Sequence, residues 1–202
     1  VFATSNLPND RLGEILLRSG MAERMYNALV LWVPWLPGGL MHSNIAACAM
    51  FAATSGSSVA TAATVGTVAL PQARRFGYNE RLFLGTLAAG GTLGILIPPS
   101  INMIIYAVRT NTSVPKLYLA GMIPGLVLCG LFMLTVVLLC LARPAWGGKR
   151  MIATWGERFA GLVHLLPPLA IFLVVVGSIY AGIATPTEAA SLGVVAALGL
   201  AW

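Results

Sequence analysis

Four long stretches of this chain carry no Asp, Glu, Lys or Arg: residues 25–73, 82–108, 117–142 and 159–187. A membrane-crossing helix needs ~20 apolar residues, because each adds ~1.5 Å and the hydrocarbon core is ~30 Å thick. Charge-free runs of this length are its signature. The composition agrees: 58% of residues are hydrophobic and 9% charged, with a mean hydropathy of +0.86. An ordinary soluble domain has about 25% charged residues. Soluble globular and disordered classes are thereby excluded. The net charge of +6 does not indicate nucleic acid. The cations lie in short loops beside apolar segments, where the positive-inside rule puts them. The sequence reads as an all-α polytopic membrane protein, a multi-pass protein of the lipid bilayer with no nucleic-acid partner.

The run of segments follows from the breaks. Residues 1–41 form an N-terminal segment. Its stretch 10–24 is amphipathic and holds six of the eighteen charges. Its stretch 25–41 is apolar but contains Pro34, Pro37 and the pair Gly38-Gly39, and Trp32 and Trp35 predict an interfacial helix there. Residues 42–72 are interrupted by TSGSS, and residues 82–109 by GTLGILIPPS. Residues 117–142 form an unbroken span, 143–158 a basic loop, and 159–183 a further span with a kink expected at Pro167-Pro168. Residues 185–202 open another helix. The first 25 residues hold no signal-peptide pattern. A start at Val1 and an end inside an apolar run read as part of a longer protein. Cys48, Cys129 and Cys140 sit in apolar segments without metal spacing and read as small apolar residues.

The stretch before SGSS, residues 43–53, would be ~16 Å long as a helix, and residues 59–71 would be ~20 Å. Neither crosses alone. Loop charges favour a re-entrant hairpin entering and leaving on one side. Ten of the twelve cations then share a side, and only Arg109 and Lys116 lie opposite. As a single span, with 25–41 not crossing, the split would be five against seven. Parity also returns if 25–41 and 43–71 both cross, but Pro34, Pro37 and the glycine pair make 25–41 a poor span. The basic loops are then cytoplasmic.

Two consecutive broken segments are unusual in a bilayer, where each unpaired backbone group costs several kcal/mol. Such breaks survive inside protein or beside a watery cavity, and they point to the binding site of a secondary transporter. SGSS offers hydroxyls and free amides at a hairpin tip. Pro98 and Pro99 remove two backbone donors, which leaves carbonyls around Gly94 to Ile97 unpaired. Neutral oxygens of this kind suit an alkali cation, and half-helix N-termini suit an anion. Close helix packing and a simple proline kink are the alternatives. No carboxylate lies in residues 25–79, which argues against a carboxylate proton relay there. Glu188 has a structural account: Thr185 as N-cap, Pro186 as first helical residue and Glu188 three after the cap form a capping box. His42 and His164 lack partners at metal spacing and read as structural. Asn44 and Asn102 need partners, and Asn102, just past the break, is the better site candidate. Arg109 reads as a boundary residue snorkelling to the interface.

The strings GEILLRSGMAERMYNALV (13–30), GGLMHSNIAACAMFAATSGSSVATAATVGTVALP (38–71), GYNERLFLGTLAAGGTLGILIPPSINMIIYAV (77–108), LYLAGMIPGL (117–126) and GIATPTEAAS (182–191) resemble the large membrane subunit of tripartite ATP-independent periplasmic (TRAP) transporters. The resemblance implies a Na⁺-driven elevator-type permease of the bacterial inner membrane, built from two inverted repeats, with this chain similar to the first repeat. It implies a small membrane subunit and a periplasmic binding protein as partners, and a small organic anion of the carboxylate class as cargo. It places a Na⁺ site between Ser55 and Ser57 of the tip and Gly94, Ile97 and Pro99 of the break, with carbonyls as the main ligands of the break. Ser58, Ser100 and Asn102 are then candidates to hold the anion. Many members carry an acidic residue where Thr61 stands. A binding-protein-independent Na⁺/carboxylate symporter and a non-transporting membrane anchor are the alternative functions. None of these readings is an enzyme.

Overall fold

The computed structural model describes residues 19–33, 35–148 and 154–201, and all regular structure among them is helical. Several expectations lie outside the described residues: the amphipathic stretch as far as Arg18, Pro34, the loop cations Lys149 and Arg150, and the side chain of Pro186.

Helix α1 is Met21–Val30. It buries Met21, Met25, Tyr26 and Val30, while Glu23 and Arg24 face outward. The interfacial helix expected over 25–41 is therefore shorter and earlier. The chain leaves it at Leu31 and turns through Pro37, Gly38 and Gly39. Gly38 has φ +96°, and a Cβ there would lie 2.7 Å from Val136 Cγ1, so the turn needs glycine both for its conformation and for the close approach.

Helix α2, Leu40–Ser55, and helix α3, Ser58–Phe76, form the two arms around SGSS. By length they are ~24 Å and ~28 Å. Both exceed the expected arms, because α2 begins three residues earlier and α3 runs on through Pro71. The last turn of α3 carries Arg74 and Arg75, favourable at a helix C-terminus, before Gly77 stops it with φ +68°. Helix α2 is the centre of the molecule and is buried on almost every side. Close packing on the helix formed by Glu80–Leu96 explains this. Gly90 lies so near Cys48 that a Cβ would meet its Sγ at 2.9 Å.

Helix α4, Glu80–Leu96, starts at Asn79, whose Oδ1 accepts from the Leu82 N–H at 3.0 Å. It is interrupted over residues 97–100, and helix α5, Ile101–Thr110, continues the segment. Helix α6, Val114–Ala142, is ~44 Å long by its rise. A 3₁₀ turn follows at Pro144–Gly147. Helix α7, Trp155–Leu162, a 3₁₀ turn at Val163–Leu165 and helix α8, Leu166–Tyr180, run on as one segment. The proline pair opens α8 rather than kinking a helix interior, and its missing donors cost nothing in a first turn. Helix α9, Pro186–Ala201, packs on α8.

Among the described residues three segments are long and apolar enough to cross a membrane: Glu80–Thr110, Val114–Ala142 and Trp155–Tyr180. The two hairpin arms are not among them. Helix α2 is too short, and Gln72, Arg74 and Arg75 in the last turns of α3 make that helix too polar.

Candidate functional site

The two breaks meet. Helix α2 ends at Ser55, Gly56 adopts φ +63°, and Ser57 is extended. The Ser57 hydroxyl caps α3 by accepting from the Ala60 N–H at 3.3 Å. This tip lies against α4. A Cβ on Gly94 would sit 3.0 Å from both N and Cα of Ser58 and 3.2 Å from the Ser57 carbonyl carbon. A Cβ on Gly91 would meet the Ala62 Cβ at 2.8 Å. Glycine at 91 and 94 thus lets two backbones touch. The Ile101 N–H, first in α5, donates to the Gly56 carbonyl at 3.4 Å, which ties the tip to the far side of the break.

The break frees oxygens in a definite order. Gly94 has no helical donor because position 98 is proline, and Ile97 loses its donor because Ile101 turns to Gly56. The Ile95 carbonyl accepts from the Ser100 hydroxyl at 2.7 Å, so this hydroxyl closes the break on itself. Leu96 O lies 2.9 Å from where a Gly121 Cβ would be, covered by α6. On the tip side, Thr61 Oγ1 donates to Ser57 O at 2.7 Å and pairs with Ser55 Oγ at 3.2 Å. Ser55 Oγ also accepts from the Ser57 N–H at 3.4 Å.

The assembled region holds hydroxyls and carbonyls and no charged side chain. Among the described residues no cluster of three His, Cys, Asp or Glu could hold a metal. Neutral hard oxygens fit an alkali cation and do not fit a soft transition metal. The structure therefore brings together Ser55, Ser57, Ser58, Gly94, Ile97, Pro99 and Ser100, with Thr61 inside the tip. Asn102 is the second residue of α5 and is exposed. Asn44 is elsewhere and satisfied: its Oδ1 accepts from Tyr26 Oη at 2.8 Å, and its Nδ2 donates to Thr86 Oγ1 at 3.0 Å. His42 is buried, with Nε2 2.9 Å from Pro37 O. His164 and Arg109 are exposed. Far from the breaks, Glu188 Oε2 accepts from both the N–H and the hydroxyl of Thr185 at 2.8 Å, and the Glu188 N–H donates back at 3.4 Å.

Sequence reasoning missed Tyr118. It is fully buried, with its hydroxyl toward the Ser100 backbone. Embedded in LYLAGM, at the start of an apolar run, it gave no signal. A second capping box was also missed: Thr154 and Glu157 repeat the Thr185–Glu188 geometry.

Residues 12–202 match the family model described as the tripartite ATP-independent periplasmic transporter, DctM component. The chain is similar to a C4-dicarboxylate TRAP transporter large permease protein of Vibrio cholerae, 39% identical over 87% of this chain and 38% of that protein. It is 36% identical to an ectoine TRAP transporter large permease protein of Halomonas elongata, over 88% of this chain and 41% of that one. It is 34% identical to an isethionate TRAP transporter permease protein of Oleidesulfovibrio alaskensis, over 89% of this chain and 28% of the relative. The chain spans about two fifths of the length of the first two relatives.

Proposed function

The chain belongs to the DctM family of TRAP transporter permeases, and from that premise we propose that it forms the ion-coupling half of a Na⁺-driven importer of a small organic anion. The observation that carries this reading is the seating of the hairpin tip on the broken helix, Gly94 against Ser58 and Ile101 N–H on Gly56 O. Two breaks that meet around neutral oxygens provide a cation site, and the N-terminus of α5 lies beside it to favour an anion. Ser55, Ser57 and the carbonyls of Gly94, Ile97 and Pro99 would hold Na⁺. Ser58, Ser100 and Asn102 would face the anion. Cargo is not fixed by these residues, since relatives of similar identity are named for C4-dicarboxylate, ectoine and isethionate. The carboxylate class remains the simplest fit to a helix N-terminus.

In this reading the hairpin is re-entrant from the cytoplasm, and the whole protein is an elevator of two inverted repeats in the bacterial inner membrane. It works with a small membrane subunit and receives cargo from a periplasmic binding protein. The test is uptake by proteoliposomes containing the full-length protein and both partners. Uptake should require an inward Na⁺ gradient. Ser57→Ala removes one oxygen ligand, worth ~1.5–3 kcal/mol, so half-maximal Na⁺ should rise ~10–150-fold while uptake at high Na⁺ partly recovers. Losing only the N-cap would instead lower thermal stability and leave the Na⁺ titration unmoved.

A further inference from the structure

A cavity of about 570 Å³ opens between α1, the end of α3 and α7, away from the two breaks. Arg24 and Arg75 converge on it from different helices, with the amides of Asn27 and Gln72 beside them. Neither arginine has an ion-pair partner among the described residues, where the one ion pair joins Arg74 to Glu80. The one carboxylate in the cavity wall, Glu157, is already engaged by the N–H and hydroxyl of Thr154, both at 2.8 Å from Oε2. The lining also includes the apolar side chains of Ala28, Leu31, Phe76 and Ala160, and the imidazole of His164. Two guanidiniums without a carboxylate partner, Arg75 lying 5.5 Å from the Phe76 ring centroid, beside apolar side chains make an amphiphilic site for an anion with a hydrocarbon tail.

An independent feature sets its depth. Trp32 packs edge-on against Phe159 with ring centroids 6.1 Å apart, and Trp155 stacks on Phe159 at 6.4 Å. Trp155 is 67% exposed and Phe159 60%. Exposed aromatic clusters of this kind mark the membrane–water interface. Trp155 and Phe159 lie on α7, the helix that also supplies Ala160 and Glu157 to the cavity, and Trp32 follows the end of α1. Arg24, in α1, and Arg75, in the last turn of α3, are among the ten cations that the re-entrant reading puts on one side, that of the anionic cytoplasmic leaflet.

We infer that this cavity binds the phosphate of an anionic phospholipid, with Arg24 and Arg75 holding the headgroup and the wall of Ala28 and Ala160 receiving the start of an acyl chain. The site is separate from the ion site, and its occupancy does not depend on the proposed Na⁺ coupling. Free inorganic phosphate shares the headgroup chemistry but would not use the apolar wall.

The experiment uses the full-length protein in nanodiscs of phosphatidylcholine with a minor fraction of phosphatidylglycerol, and native mass spectrometry counts retained lipids. Wild type should retain phosphatidylglycerol in preference to phosphatidylcholine. The double variant R24Q/R75Q should lose that preference by about tenfold to thirtyfold, at roughly one order of magnitude or less per arginine. Lys116→Gln, which removes a cation from the opposite side, should leave it intact. Ala160→Phe fills the apolar wall without touching charge and should also expel the lipid, so the inference remains open to refutation if the arginine variant does not fold. An unchanged preference in R24Q/R75Q or in Ala160→Phe overturns the inference. So does displacement of the lipid by millimolar inorganic phosphate, which would mark a free-anion site.

Discussion

At the scale of single residues, the glycines of α4 separate structural need from tolerance. Gly94 faces the hairpin tip, and a Cβ would press on backbone atoms of Ser58 at 3.0 Å. Backbone does not swing aside as a side chain does, so Gly94→Ala should lift the tip off the break. A destabilisation of ~1–3 kcal/mol is expected, read as a lower unfolding temperature of the purified protein, together with loss of Na⁺-dependent uptake. Gly85 lies on the same helix with nothing within 4 Å of its would-be Cβ. Gly85→Ala should therefore stabilise the helix by ~0.5–1 kcal/mol and leave uptake unchanged. Equal behaviour of the two variants would remove the tip contact from the account. Gly94 was legible in the sequence because it precedes Pro98 and Pro99 within one short motif. Thr61 and Tyr118 were not. The hydroxyl of Thr61 acts through tertiary proximity to Ser55 and a bond to Ser57 O, and Tyr118 reaches the break from a helix whose sequence is otherwise featureless.

At the scale of elements, the breaks were readable and the helix ends less so. The interruptions at SGSS and at IPPS follow from glycine, serine and proline chemistry, which acts locally. The limits of α1 did not follow from hydropathy, because a 10-residue helix packed by Met25 and Tyr26 into the core obeys tertiary contact instead. The same holds for α3, which continues through Pro71 although its charge-free run ends at Ala73. The longer arms make length a weaker argument for re-entry than the charge asymmetry of the loops, and side-specific labelling decides the point. Ser43 is buried, so a probe there would be shielded. Trp35 and Arg74 are exposed at the two outer ends of the hairpin, and Thr112 lies beyond α5. Cysteines at 35 and 74 in the full-length protein should both react with a membrane-impermeant maleimide from the cytoplasmic face. A cysteine at 112 should react from the other face. Labelling of 35 and 74 from opposite faces would replace the hairpin with a crossing pair.

At the scale of the whole molecule, what the chain presents outward bears on what it can do by itself. Helix α6 exposes Leu119, Ile123, Leu126, Leu131, Leu134 and Leu138, and α8 exposes Leu169 and Leu173. Such faces belong against lipid or against further protein, and the relatives are long enough to include further protein. The class of protein was legible from charge-free runs alone, because the bilayer imposes helix length and charge exclusion directly. Cargo was not legible, because it depends on a few contacts that this segment does not complete. Alternating access requires one bundle to move against another around a fixed site. The described residues contain one hairpin and one broken helix, which in the proposed reading form one wall of such a site. Liposomes holding only residues 1–202 should therefore show no concentrative uptake of any organic anion under a Na⁺ gradient, with or without binding protein. The full-length protein prepared in the same way, with its partners, serves as the positive control. Gradient-dependent accumulation by the segment alone would mean that a single repeat, alone or paired with a second copy, encloses the site, and the two-repeat reading would fall.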